Sequence, residues 1–168
     1  MSIGKYNETY FKNHPEEKER EGVLYGVILV NKKTFEREVI KVGIASGKDW
    51  RHVLKRSRGF QGYDLRIQRT WASTLYEVFC MEQQLHEKFL NDKLEPTHKF
   101  GGHTECFKIT SKILEEFPKM EELKIETYHG QKYAKSKKPA KEHKYIGWFY
   151  YYPNKTFYRF DDIPYENK

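Results

Sequence analysis

The chain is short of the features that mark secreted and membrane proteins. Its 168 residues include two cysteines, Cys80 and Cys106, too few and too far apart for a disulfide framework. The longest continuous apolar run, Val23 to Val30 with Gly26 inside it, falls far below the roughly 20 residues of a membrane-spanning helix. Met1 to Asn13 lack the apolar stretch of a secretory signal. No membrane span is therefore expected, and a reducing cytoplasm is the expected home. Hydrophobic residues are also scarce, 38% against about 45–50% in ordinary domains. The 13 Tyr, 11 Phe and 3 Trp offset that deficit, because each aromatic ring buries a large area, so disorder throughout is excluded. The length suits one domain with an appendage.

Acidic residues are outnumbered. Lys and Arg total 31 against 24 Asp and Glu, giving a net charge of +7 and a pI near 9.2, a balance suited to a polyanion such as nucleic acid. The excess is localised: between Gly130 and Gly147 stand Lys132, Lys135, Lys137, Lys138, Lys141 and Lys144 with the single acid Glu142.

These shifts in composition divide the chain. Residues 1–21 are polar, with alternating Glu, Lys and Arg, and read as a loosely held arm. Residues 22–128 carry the periodic patterns of a domain, 129–147 form a basic linker, and 148–168 read as an aromatic β-hairpin about Pro153-Asn154, either a DNA-contacting element or an extension of the sheet. Within the domain, Val23 to Val30 is apolar on both faces, as a central strand should be. Glu36 to Ile44 returns as its hairpin partner, in a register that places Tyr25 opposite Lys41 on one face. Trp50, Val53 and Leu54 mark a short helix decorated by Arg51, Lys55, Arg56 and Arg58. Leu65 to Trp71 alternates as a third strand. Thr74 and Glu77 have capping-box spacing and open a helix to about Asn91. Its core stripe is Leu75, Val78, Phe79, Glu82, Leu85 and Phe89, so Glu82 is an acid on an otherwise apolar face. A short strand at Glu105 to Ile109 and a helix at Lys112 to Phe117 follow, with Met120 to Tyr128 extending or following that helix. The fold class is α/β, an α+β sandwich with a small, mainly antiparallel sheet flanked by helices and a C-terminal aromatic hairpin appendage.

The order of these parts resembles the GIY-YIG nuclease superfamily, particularly its phage-borne branch. The strand ending Val23-Leu24-Tyr25 matches the first motif, and Lys41-Val42-Gly43 on the paired strand matches the second, with Lys in place of the usual Tyr. Arg51 on the next helix and Glu82 in Met81-Glu82-Gln83-Gln84-Leu85-His86 match the family's arginine and metal-binding glutamate. The literal Tyr145-Ile146-Gly147 lies about 120 residues after Tyr25, too far along to serve as the second motif. The resemblance implies a Mg²⁺- or Mn²⁺-dependent endonuclease acting on double-stranded DNA, in the host cytoplasm if phage-encoded. It further implies catalytic Tyr25, Lys41, Arg51 and Glu82, with Glu82 holding the metal.

Phosphodiester hydrolysis needs a deprotonated water and cations beside the phosphorus. Mg²⁺ at Glu82 keeps most of its waters, and Arg51 stabilises developing phosphoryl charge. Tyr25 as general base starts from a reference pKa near 10. A positive charge about 4 Å away is worth at most ~4 kcal/mol at an effective dielectric near 20, or roughly 3 pKa units, which gives Lys41 a chemical task. Lys55, Arg56, Arg58, Lys135, Lys137 and Lys138 are the candidate DNA contacts. His86 and His52 either assist proton transfer or phosphate contact, or are surface histidines. Plainer roles exist for each catalytic candidate: Tyr25 as core, Lys41 as a snorkelling strand-end residue, Arg51 as a solvated helix residue, Glu82 at the rim of the stripe or as a partner of Arg69 or Lys88. The rivals to the enzyme are a catalytically silent DNA-binding module of the same fold and a protein-binding inhibitor or adaptor.

Overall fold

The structure is a computed structural model and describes residues 6–55, 60–118, 124–128 and 148–159. β1 (Glu21–Asn31) lies inside the sheet, between β2 (Arg37–Ser46) and β3 (Tyr63–Thr74), and is buried on both faces by two core layers. β4 (Cys106–Phe107), β5 (Ile125–Tyr128), β6 (Trp148–Tyr151) and β7 (Thr156–Arg159) complete an antiparallel sheet of order β4-β2-β1-β3-β5-β6-β7. With α1 (Glu8–Asn13), α2 (Trp50–Lys55) and α3 (Leu75–Lys88) packed on this sheet, the fold is the expected mixed α/β arrangement.

Strand alternation sorts the core into two layers. Val23, Tyr25, Val27 and Leu29 of β1 face a layer that includes Val53 and Leu54 of α2 and Phe149 of β6. Leu24, Ile28 and Val30 face the opposite layer, with Leu75, Val78, Phe79 and Leu85 of α3. α3 starts where the sequence places it: Thr74 is the N-cap and its hydroxyl accepts from the Glu77 N–H at 3.2 Å. It stops at Lys88, and a single 3₁₀ turn over Leu90–Asp92 takes up the rest of the expected helix.

Four expectations are corrected. The hairpin register is displaced by two residues, so Tyr25 lies opposite Gly43 and Val27 opposite Lys41. The connecting turn is longer than the expected one, and a bulge falls at Leu29/Val30. A two-residue slip preserves facing, so Tyr25 and Lys41 still project from one side. The N-terminal arm is held: Asn7 caps α1, and Phe11, fully buried, packs edge-on to Tyr76 and against Phe79. The helix expected at Lys112 to Phe117 is one 3₁₀ turn, Ile113–Glu116, ahead of Pro118. Residues 125–128 are strand, because Ile125 joins the core and the Thr127 hydroxyl accepts from the Leu65 N–H at 2.6 Å.

The aromatic hairpin is present, and β6 pairs with β5, so it lengthens the sheet. Phe149 and Tyr151 pack on Trp50 of α2, with Trp50 and Tyr151 stacked at 5.1 Å. Among the described residues no helix is long and apolar enough to cross a membrane.

Candidate functional site

The site forms at one stretch of β2 where the sheet changes character. β4 pairs with β2 only at Ile40 and Lys41. One residue farther, the Val42 carbonyl accepts a hydrogen bond from Nε2 of His86 at 2.9 Å, from α3. Side chains of β1, β2, α3 and the turn before β4 meet there.

Lys41 is the hub. It is 2% exposed, a costly place for an ammonium unless anions surround it. Its Nζ donates to Oε1 of Glu105 at 2.8 Å and lies 5.5 Å from the centre of the Tyr25 ring. Burial pulls the Lys41 pKa down, but nearby Tyr25, Glu105 and Glu82 outweigh burial and hold it above its ordinary value. Glu105 is shifted the opposite way. Burial disfavours its charge, and Lys41 with its hydrogen bond overcomes that and lowers the carboxyl pKa.

Tyr25 is fully buried, and its hydroxyl is the one buried side-chain polar atom without a hydrogen-bond partner among the described residues. Such a group normally finds a partner. Its surroundings are tight: a Cβ at Gly43 would sit 2.7 Å from the Tyr25 Oη and 2.6 Å from the Lys41 Nζ. The glycine of the Lys41-Val42-Gly43 match therefore lets the phenol and the ammonium pack together against the backbone.

Glu82 closes the group from α3. It is 5% exposed, and its carboxylate accepts from Nε2 of Gln83 at 3.1 Å. Of its expected partners, Lys88 bonds Glu116 and Arg69 donates to the Gln68 carbonyl. One ligand atom from each of Glu82, His86 and Glu105 lies within 4.8 Å of the others. His86 is pushed down in pKa, chiefly by burial, against the opposing pull of the Val42 carbonyl and Glu105, so its ring is neutral at pH 7. Since Nε2 donates to a carbonyl, Nδ1 carries the lone pair. Two carboxylates and a neutral imidazole make a chemically apt donor set for a divalent cation.

Arg51 is buried on α2, the helix that covers the Tyr25 side of the sheet. Its Nε donates to Oδ1 of Asp49 at 2.8 Å, and the backbone N–H of Arg51 donates to the same oxygen at 3.0 Å. A second guanidinium nitrogen pairs with Oδ2 of Asp49. His52 Nδ1 accepts from the Lys48 N–H at 3.1 Å. The structure thus places Tyr25 and Glu105 at Lys41 with the Glu82 charge nearby, and Asp49 fixes Arg51. The Lys55 side chain, Arg56, Arg58, Lys135, Lys137 and Lys138 lie outside the described residues.

Sequence reasoning missed Glu105 as a site residue and left His86 open. The signal for His86 was available in Glu82-x-x-x-His86, a spacing that sets both side chains on one helix face. Glu105 carried no signal, since only the tertiary fold brings residue 105 to residue 41.

No family model, no curated protein and no solved structure matches the chain.

Proposed function

We propose that the chain is a divalent-metal-dependent endonuclease that hydrolyses DNA phosphodiester bonds, a GIY-YIG-type enzyme with Lys41 in place of the second motif tyrosine. The observation that carries this reading is the unpartnered, fully buried Tyr25 phenol beside the Lys41 ammonium, both packed on the Gly43 backbone. An uncompensated buried hydroxyl is a destabilising feature, of the kind found where a substrate or a water completes the hydrogen bonding.

Tyr25 Oη takes a proton from the attacking water. Lys41 holds positive charge 5.5 Å from the centre of the Tyr25 ring. Glu82 is the residue to hold a divalent cation, with His86 and Glu105 within reach, and such an ion supplies charge neutralisation at the phosphoryl oxygens. Arg51, oriented by Asp49, is the guanidinium to stabilise charge on the equatorial oxygens. The net charge of +7 suits a DNA substrate, double-stranded by the resemblance, and the absence of disulfide chemistry suits a cytoplasmic setting.

Supercoiled plasmid incubated with the protein and Mg²⁺ or Mn²⁺ tests this reading. Nicking is expected, with a loss of at least a hundredfold in Glu82→Gln. Retention of DNA in a gel shift with no cleavage under any of these ions would identify a silent DNA-binding module. The buried Lys41–Glu105 ion pair is the observation that favours that second reading, because it engages the ammonium that the mechanism needs.

A further inference from the structure

We infer that Glu82, His86 and Glu105 together form a single three-residue site for a divalent cation of the imidazole-accepting kind, Mn²⁺ in preference to Mg²⁺, with Lys41 holding the place of that cation in the metal-free protein. The inference deepens the nuclease reading, which needs a metal only at Glu82, but it is testable without cleavage.

Three independent features carry it. The first is composition and spacing. Ligand atoms of the three residues lie within 4.8 Å of one another. Two ligands of one ion at about 2.1 Å stand about 3 Å apart when adjacent and about 4.2 Å when opposite, so side-chain shifts of about an ångström suffice. Glu82 and His86 are one turn apart on the rigid helix α3, which limits how far they must move.

The second feature is the preparation of His86. Its Nε2 is bound by the Val42 carbonyl, and metal-ligating histidines characteristically have their second nitrogen held in this way. That carbonyl belongs to the β2 residue just past the pairing with β4, so the fold orients the ring through the backbone.

The third is the charge pattern. Glu82 is 5% exposed, and Glu105 reaches a lysine that is 2% exposed. The Glu105 carboxylate holds one ammonium here, Glu82 adds its charge nearby, and the unpartnered Tyr25 hydroxyl packs with the same ammonium on the Gly43 backbone. A cation bound by Glu82 and Glu105 takes over the role of Lys41 toward Glu105. Lys41 is then left to the phenol, beside which its Nζ already packs on the Gly43 backbone. The site is thereby linked to the proposed base: loading the metal frees the ammonium.

The choice of ion follows from the donors. Mg²⁺ favours an all-oxygen shell, whereas imidazole nitrogen suits later divalent ions, and Mn²⁺ accepts both donor types.

The test is Mn²⁺ titration of the metal-free full-length protein, followed by electron paramagnetic resonance of the free ion, with Mg²⁺ as competitor. One Mn²⁺ per chain is expected, bound at least tenfold more tightly than Mg²⁺. Glu105→Gln and His86→Gln, each checked for folding by circular dichroism, should each weaken binding at least tenfold. Lys41→Met should tighten it, because the competing ammonium is gone. One Mn²⁺ bound with unchanged affinity in folded His86→Gln and Glu105→Gln would overturn the inference and leave the Glu82-based nuclease reading standing. Equal or tighter Mg²⁺ binding would also overturn it, as would no Mn²⁺ binding by folded wild-type protein. Binding that depends on all three residues, with no plasmid cleavage, would uphold the site and overturn the nuclease reading.

Discussion

At the scale of single residues, the site is defined by what Gly43 omits as much as by what its neighbours supply. Gly43→Ala puts a methyl group 2.6 Å from the Lys41 Nζ and 2.7 Å from the Tyr25 Oη. The lysine terminus can move, but the phenol ring is packed. Overpacking of this kind costs about 1–3 kcal/mol. We therefore expect Gly43→Ala to lower stability by that amount in urea denaturation and to reduce plasmid nicking at least tenfold. Tyr25, Lys41 and Glu82 were legible because each broke a pattern: a hydroxyl in an apolar strand, a cation at the end of another, an acid on an apolar helix stripe. Glu105 broke none. It stands at the start of the expected short strand, where an acid is ordinary; in the structure it ends the 3₁₀ turn His103–Glu105, and only the pairing of Cys106 with Lys41 places it at the ammonium.

At the scale of elements, periodicity served well where it was long. β1 and α3 lie where their apolar patterns put them, and Thr74 caps α3 as its spacing indicates. Short elements were less legible. The stretch Ile113–Glu116 has an apolar residue or two whatever its conformation, and contacts with β1 decide it: a Cβ at Gly26 would lie 2.3 Å from Leu114 and 3.0 Å from Phe117. The polar composition of residues 1–21 concealed one anchoring side chain. Phe11 is fully buried against Tyr76 and Phe79, so α1 is part of the α3 layer. Phe11→Ala is expected to lower stability by about 3–5 kcal/mol in denaturant unfolding. A change below about 0.5 kcal/mol would restore the loosely held arm.

At the scale of the whole molecule, a polar network ties the far end of β2 to β3 and to the loop that returns toward β4. Glu38 accepts from Asn31 at 2.7 Å, from Tyr63 at 2.7 Å and from the Thr97 N–H at 2.9 Å. Tyr63 in turn accepts from the His98 N–H at 2.9 Å. Burial pushes the Glu38 carboxyl up, and these three donors overcome it, so its pKa is lowered in the folded state. The same contacts act on the phenol, which burial and Glu38 push up to about 12. A carboxyl with a depressed folded pKa stabilises the fold above its unfolded value, and that contribution is lost as pH falls through the folded value. Glu38→Gln is therefore expected to cost about 1–3 kcal/mol at pH 7. The difference from wild type should shrink below about pH 4, as read from urea midpoints across pH.

The central claim is that the Tyr25 hydroxyl serves the reaction and not the fold. Tyr25→Phe tests it most directly, with plasmid nicking and denaturant stability measured on the same preparation. Removing a buried hydroxyl that has no partner should leave stability unchanged or raise it by about 1–2 kcal/mol, while a missing general base should slow nicking about 10²–10⁴-fold. Nicking at the wild-type rate in stable Tyr25→Phe protein would contradict the account.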